Sequence, residues 1–129
     1  MKQAVVAVIR DAGRVLVILR GRTVRLPGYW TPLSGTIEVG ESQQETLVRE
    51  VREEVGLDVR AIAKVWECLT DDQAYRLHWW TAQLVGGTLE PDGREVEDAR
   101  WVTAGEFKEL EPTFAGDREF FERVLPGLK

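Results

Sequence analysis

The chain has no asparagine and only one cysteine, one methionine and one histidine among 129 residues. A lone Cys68 excludes a disulfide framework and a thiolate metal site, and the expectation for it is a small buried residue. His78 falls on an alternating strand, where a structural role is the simpler expectation. The scarcity of thermolabile residues fits a heat-adapted protein, but the excess of Arg over Lys fits a GC-rich genome equally well. Long apolar runs are also missing. The longest, residues 4–9 and 15–19, are far too short to cross a bilayer. Residues 1–3 lead directly into a strand-like run without a cleavage-site pattern, so neither a membrane association nor a signal peptide is expected and the expected location is cytoplasmic. Positive charge is short as well. With a formal charge of −5, the surface lacks the basic balance that long nucleic acids demand, and no such partner is expected. Nucleotides stay open, because bound cations can supply the missing charge.

An apolar fraction of 43% provides for an independent core, and the length suits one domain over residues 1–129. Two β-branched runs, residues 4–10 and 14–20, flank Asp11-Ala12-Gly13 and predict a hairpin. Residues 21–34 read as a loop around a short strand at 29–30. A helix is expected from Glu41 or Ser42 to Gly56, a left-handed C-cap. Residues 57–69 and 74–85 read as strands, 86–97 as polar and turn-rich, and 99–102 as a short strand. Thr103 and Glu106 form a capping box for a helix to about Leu110, and a last helix covers 117–124. Strands on both sides of a helix that must cover a sheet imply an α/β sandwich.

The long helix carries the chemistry. Glu50, Glu53 and Glu54 stand at i, i+3 and i+4 and so meet on one face. Leu47, Val48, Val51 and Val55 occupy another sector, expected to pack under the sheet. Like charges at that spacing repel, and a chain that keeps three together usually has a cation to neutralise them. Clustered hard oxygens suit Mg²⁺ or Mn²⁺, the ions that most often serve phosphorylated substrates. Taken alone, however, a Glu/Arg-rich helix face reads as solvated surface.

The residues before the helix reverse that balance. The segment reads GTIEVGESQQETLVREVREEVGL: Gly35, five residues, Glu41, seven residues, then Arg49-Glu50-Val51-Arg52-Glu53-Glu54-Val55-Gly56-Leu57. It resembles the Nudix box, the signature of hydrolases that cleave nucleoside diphosphates linked to another moiety. The resemblance implies a Nudix-type α/β/α sandwich with a mixed central sheet, and Mg²⁺ as cofactor with Mn²⁺ as a substitute. It implies Glu50, Glu53 and Glu54 as metal ligands, joined by the backbone carbonyl of Ser34. The family commonly has a Pro-Gly-Gly turn there, whereas this chain reads Pro32-Leu33-Ser34-Gly35. Gly35, Glu41 and Gly56 fill structural positions of the box, and Arg49 orients carboxylates. A further glutamate is expected a few residues before a Trp; Glu95 has the best spacing to Trp101, with Glu97 next, as ligand or base. Glu53, Glu54 and Glu95 are all candidates for the proton acceptor, and metal ligation, which itself lowers the water's pKa, is the alternative.

Substrate choice lies outside the box. Arg20 and Arg22 precede it and are candidates to meet phosphates, although strand-end arginines also read as plain surface. No proline occurs between Leu57 and Glu90, where ADP-ribose hydrolases often carry one. Tyr75, 18 residues past the box, matches a marker of some diadenosine-polyphosphate hydrolases. Trp30 and Trp101 read as core. Trp79 and Trp80 must face opposite sides of a strand, one in the core and the other toward substrate or a dimer interface. The resulting expectation is Mg²⁺-dependent hydrolysis of a nucleoside di- or triphosphate. ADP-ribose or diadenosine-polyphosphate hydrolysis, RNA 5′-end pyrophosphohydrolysis and a catalytically silent nucleotide sensor are the alternatives. A homodimer is compatible with the aromatic strands.

Overall fold

β-Branched runs dictate a sheet, and the computed structural model, which describes residues 1–128, places them at its centre. Strands β1 (Lys2–Asp11) and β2 (Arg14–Arg20) meet at a tight turn pairing Arg10 with Val15 and Asp11 with Arg14. Ala12 and Gly13 both take positive φ, 50° and 79°. That is the backbone twist a two-residue hairpin requires. Strand β3 (Trp30–Thr36) follows, then helix α1 (Gln43–Val55), β4 (Leu57–Leu69), β5 (Tyr75–Gly87) and β6 (Val96–Val102). Short helices α2 (Ala104–Phe107) and α3 (Ala115–Glu119) come last, α3 running on into a π turn at Phe120–Val124.

The sheet order is β4-β5-β1-β3-β2-β6. Only the central β1–β5 pair is parallel; β4–β5, β1–β3, β2–β3 and β2–β6 are antiparallel. Successive side chains of β1 point to opposite faces, yet all six from Ala4 to Ile9 are buried. Continuous burial means that both faces are covered. On one face Val5, Ala7 and Ile9 join Leu47, Val51 and Val55 of α1. On the other, Val6 and Val8 pack with Trp79, Phe107, Phe120 and Phe121. The fold is an α/β/α sandwich around a mixed sheet. Among the described residues no helix is long and apolar enough to cross a membrane.

Several local expectations are corrected. The strand expected at 29–30 extends to Thr36 through Pro32. Pairing with β2 runs from Leu19↔Trp30 to Val17↔Pro32, and pairing with β1 begins at Leu33. The missing N–H of Pro32 thus falls where β3 changes partners. β5 runs to Gly87 and β6 begins at Val96, shortening the intervening loop. The capping box of Thr103 and Glu106 forms, but its helix ends at Phe107. Val48 lies at the edge of the helix face and is exposed. Cys68 is only half-buried and accepts a hydrogen bond from Trp79 Nε1 at 3.3 Å.

Helix α1 is closed at both ends as its sequence requires. Ser42 and Glu45 cap each other's backbone N–H, and Gly56 takes φ 75° as the C-cap. Burying Leu47, Val51 and Val55 contributes roughly 1.5–3 kcal/mol each. Repulsion between like charges on the same helix costs only about 0.2–0.5 kcal/mol per pair. Packing therefore decides that the helix forms despite its acidic face.

Asp117, at the start of α3, is buried beneath the second face and accepts a hydrogen bond from Thr31 Oγ1 at 2.6 Å. Burial pushes its carboxyl up to about 7, with the Thr31 bond opposing. The folded protein therefore holds a proton that the unfolded chain releases near pH 4, so stability from this group falls as pH rises from about 4 through 7. Asp117→Asn is expected to melt higher than the parent at pH 8, with the gap closing toward pH 4 in a calorimetric series. A gap that does not depend on pH would contradict the buried-charge account.

Candidate active site

The end of β3 and the polar side of α1 are built around each other. An added Cβ at Gly35 would lie 2.2 Å from Glu50 Cγ and 2.4 Å from its Cδ. Only a residue without a side chain lets Glu50 lie against the strand. Ser34 sits just before this contact, paired with Val6.

Arg49 organises the carboxylates. Its guanidinium grips Glu41 with two bonds, Nε to Oε2 at 2.7 Å and Nη2 to Oε1 at 2.8 Å. Nη1 donates to Glu50 Oε1 at 2.8 Å and to Glu53 Oε2 at 3.2 Å. Glu41 also accepts from the Glu38 N–H and from Thr46 Oγ1, tying the box loop to the helix. The Arg49 bond holds the Glu41 carboxyl down at about 2.

Glu54 differs from its neighbours. The residue is only 9% exposed and its Oε2 is buried without any hydrogen-bond donor. The Glu50 and Glu95 carboxyls both act on it, each disfavouring its ionised form. Burial, then Glu50 and Glu95, push it up to about 10. Burial also raises Glu50, against the pull of Arg49. Glu53, by contrast, has a side chain 59% exposed.

The loop after β5 covers Glu54. The N–H of Glu90 donates to Val55 O at 2.8 Å and that of Asp92 to Glu54 O at 2.9 Å, satisfying carbonyls at the helix end. Glu95 comes back toward Glu54 and is itself exposed to solvent. Its backbone carbonyl accepts from the N–H of Gly21 at 2.8 Å. Burial lowers the pKa of the adjacent Arg20, against the opposing charges of Glu54, Asp117 and Glu95. A recess of about 350 Å³ lies between Thr23, Asp92, Arg94 and Glu95.

The structure thus gathers Glu50, Glu54, Glu95 and Arg20, with Arg49, Glu41 and Glu53 alongside. Arg22 is exposed on the next loop. Tyr75 lies with the Lys2 ammonium 5.6 Å from its ring centroid. A recess of about 790 Å³ touches Glu41 but not Glu50, Glu53 or Glu54. It is lined in part by Lys64, His78 and Trp80. His78 is buried; Lys64 Nζ lies 2.9 Å from its Nδ1, and its Nε2 lies 2.7 Å from Gln3 Oε1. Trp79 is core, and Trp80 is bonded through Nε1 to Gln43 at 2.7 Å. Sequence reading missed Asp92 and Asp117; an acid in a Pro-Asp-Gly turn or at a helix start reads as surface.

Among the described residues no three acidic, histidine or cysteine side chains are arranged as a ready ligand set, and Glu50 and Glu53 are each paired with Arg49. The donor set nonetheless fits a divalent cation. Its atoms are carboxylate oxygens, and Glu54 offers one buried oxygen that nothing else satisfies.

The NUDIX domain family profile matches residues 1–124. The chain is 32% identical over 113 residues to the NAD-capped RNA hydrolase NudC of Deinococcus radiodurans, covering 88% of this chain and 40% of that protein. It spans between 31% and 46% of the length of the curated NudC relatives it matches. A Mycobacterium tuberculosis protein called "Putative 8-oxo-dGTP diphosphatase 2" is 35% identical over 114 residues, covering 81% of this chain and 74% of that protein. The crystal structure of a NUDIX hydrolase from Nitrosomonas europaea superposes with a TM-score of 0.81 at 20% identity, over 98% of this chain and 73% of that one.

Proposed function

The chain belongs to the Nudix hydrolase family, enzymes that act on pyrophosphate bonds and generally use a divalent metal such as Mg²⁺, and from that premise we propose that it hydrolyses a free nucleoside di- or triphosphate. The observation that carries the reading is the buried Glu54 carboxyl, with an oxygen that no donor satisfies, on the helix whose Glu50 and Glu53 are held by Arg49.

Pyrophosphate resists hydrolysis because its oxygens repel a nucleophile. In this reading Glu50, Glu53, Glu54 and Glu95, with the Ser34 carbonyl, would hold the metal. When bound there, a divalent cation neutralises the phosphate oxygens and acidifies the attacking water. Arg49 orients Glu50 and Glu53 through its Nη1, and Glu41 fixes Arg49 from the other side. Arg20 meets the phosphate oxygens, with Arg22 able to join from the loop. Glu54 is too deeply buried to exchange protons freely with water. Glu53 and Glu95 are exposed, and one of them takes the proton.

The acidic surface favours a small substrate over a long polyanion, and the Mycobacterium tuberculosis relative, matched over 74% of its length, is named for a nucleotide substrate. Similarity to NudC proteins supports a second reading, cleavage within a dinucleotide or a nucleotide-capped RNA. ADP-ribose and diadenosine polyphosphates, the latter with Tyr75 near the substrate, belong to that second class. A hydrolysis screen with Mg²⁺ separates the readings. It should cover nucleoside di- and triphosphates (oxidised guanine forms included), ADP-ribose, diadenosine polyphosphates, NAD, and triphosphorylated and NAD-capped RNA. The expected result is the highest kcat/KM on a free nucleoside phosphate. A preference for capped RNA or NAD would select the second reading, and binding without turnover would select a sensor.

A further inference from the structure

We propose that Asp92 is a positioning residue that fixes the backbone of Glu95 relative to that of Glu54, an inference that rests on the role assigned to Glu95 above. Asp92 Oδ1 accepts three successive backbone N–H groups, from Arg94 at 2.9 Å, Glu95 at 3.0 Å and Val96 at 3.0 Å. The same residue donates its own N–H to the carbonyl of Glu54 at 2.9 Å. One aspartate therefore ties the backbone of the helix glutamate to the backbone of the loop glutamate. Gly93, at φ 78°, lets the chain reverse, and its N–H closes the turn on Val96 O at 2.9 Å.

The far side of the loop is clamped independently. Gly21 donates to the carbonyl of Glu95 at 2.8 Å, and Thr23 Oγ1 to that of Arg94 at 3.1 Å. An added Cβ at Gly21 would lie 2.0 Å from Arg94 O. With its outer contacts fixed by Gly21 and Thr23, the loop depends on Asp92 for its inner curvature. A carboxylate that collects three N–H groups holds them more strongly than a neutral acceptor does. Removing it leaves those three N–H groups without their shared acceptor, and a misplacement near 1 Å costs about 10²-fold in rate.

The test is a double-mutant cycle on the best substrate of the screen, with the melting temperature of each variant as a folding control. Asp92→Ala is expected to lower kcat by about 10- to 100-fold with KM within about threefold. Asp92→Asn keeps the Oδ1 acceptor and should recover most of kcat. In the Glu95→Gln background, Asp92→Ala should change kcat by less than about twofold, because the residue it positions no longer contributes. Equal losses in both backgrounds, or wild-type kcat in Asp92→Ala, would overturn the inference. Wild-type kcat in Glu95→Gln alone would overturn the role of Glu95, and this inference with it.

Discussion

Glu54→Gln is expected to lower kcat by about 10²-fold or more through the weakened metal site and, in protein stripped of divalent metal, to raise the melting temperature at pH 8. The two effects have one cause. Burial and the neighbouring Glu50 and Glu95 carboxyls push Glu54 up to about 10, against roughly 4.3 in an unfolded chain. The folded state therefore keeps a proton that the unfolded state has released. The stability it lends is complete below about pH 4 and is lost as pH rises toward 10. Glutamine cannot ionise, and its amide can donate to the Glu50 and Glu95 oxygens. The gap in stability should open from pH 5 to pH 9 and reach on the order of a few kcal/mol. Excess Mg²⁺ should stabilise the parent and not the variant, because a ligand that binds only the folded state raises its melting point. Melting curves with EDTA and with Mg²⁺ measure both. A variant that melts lower than the parent at every pH would remove the argument that Glu54 is a strained carboxyl held for function.

Gly35→Ala should be nearly as damaging, through geometry alone. Gly35 has an ordinary strand conformation, so alanine introduces no backbone strain. Its methyl group would stand 2.2 Å from Glu50 Cγ, closer than atoms can approach, and Glu50 is fastened to Arg49 at 2.8 Å. Either Glu50 swings out, dragging Arg49 off Glu41, or β3 moves away from the helix. A displacement near 1 Å in a catalytic array costs about 10²-fold. Steady-state kinetics should show the loss in kcat, while a far-ultraviolet spectrum shows the strands retained. Turnover within threefold of the parent would show that Glu50 does not need its present position.

The helix that carries the candidate site is legible in the sequence down to its ends. Ser42 and Glu45 announce the N-cap, Gly56 the C-cap, and Leu47, Val51 and Val55 the buried stripe. The hairpin at Ala12-Gly13 and the capping box at Thr103 are equally local signals, and both form. Long-range packing decides what local signals miss. Glu54 looks like one of three equivalent glutamates on the helix wheel. In the fold, Glu90 and Asp92 dock onto the backbone at the helix end, Glu54 is buried and Glu53 stays in solvent. Pro32 argues against a strand until β3 is seen to exchange one neighbour for another there. Asp117 opens α3, where an acid is ordinary, yet its Thr31 partner lies 86 residues away in the chain. Asp92 sits in a turn whose composition predicts only a turn, and its three N–H partners follow from the loop's path over α1.

The central claim is that the α1 glutamates run a metal-dependent pyrophosphate cleavage. The most direct test is turnover of the best nucleotide substrate as a function of Mg²⁺, in the parent and in the Glu53→Gln/Glu54→Gln double variant. The account predicts saturable Mg²⁺ dependence in the parent and a loss of about 10³-fold or more in the variant, with both proteins folded. Near-parental turnover in the double variant, or turnover in the parent indifferent to EDTA, would contradict it.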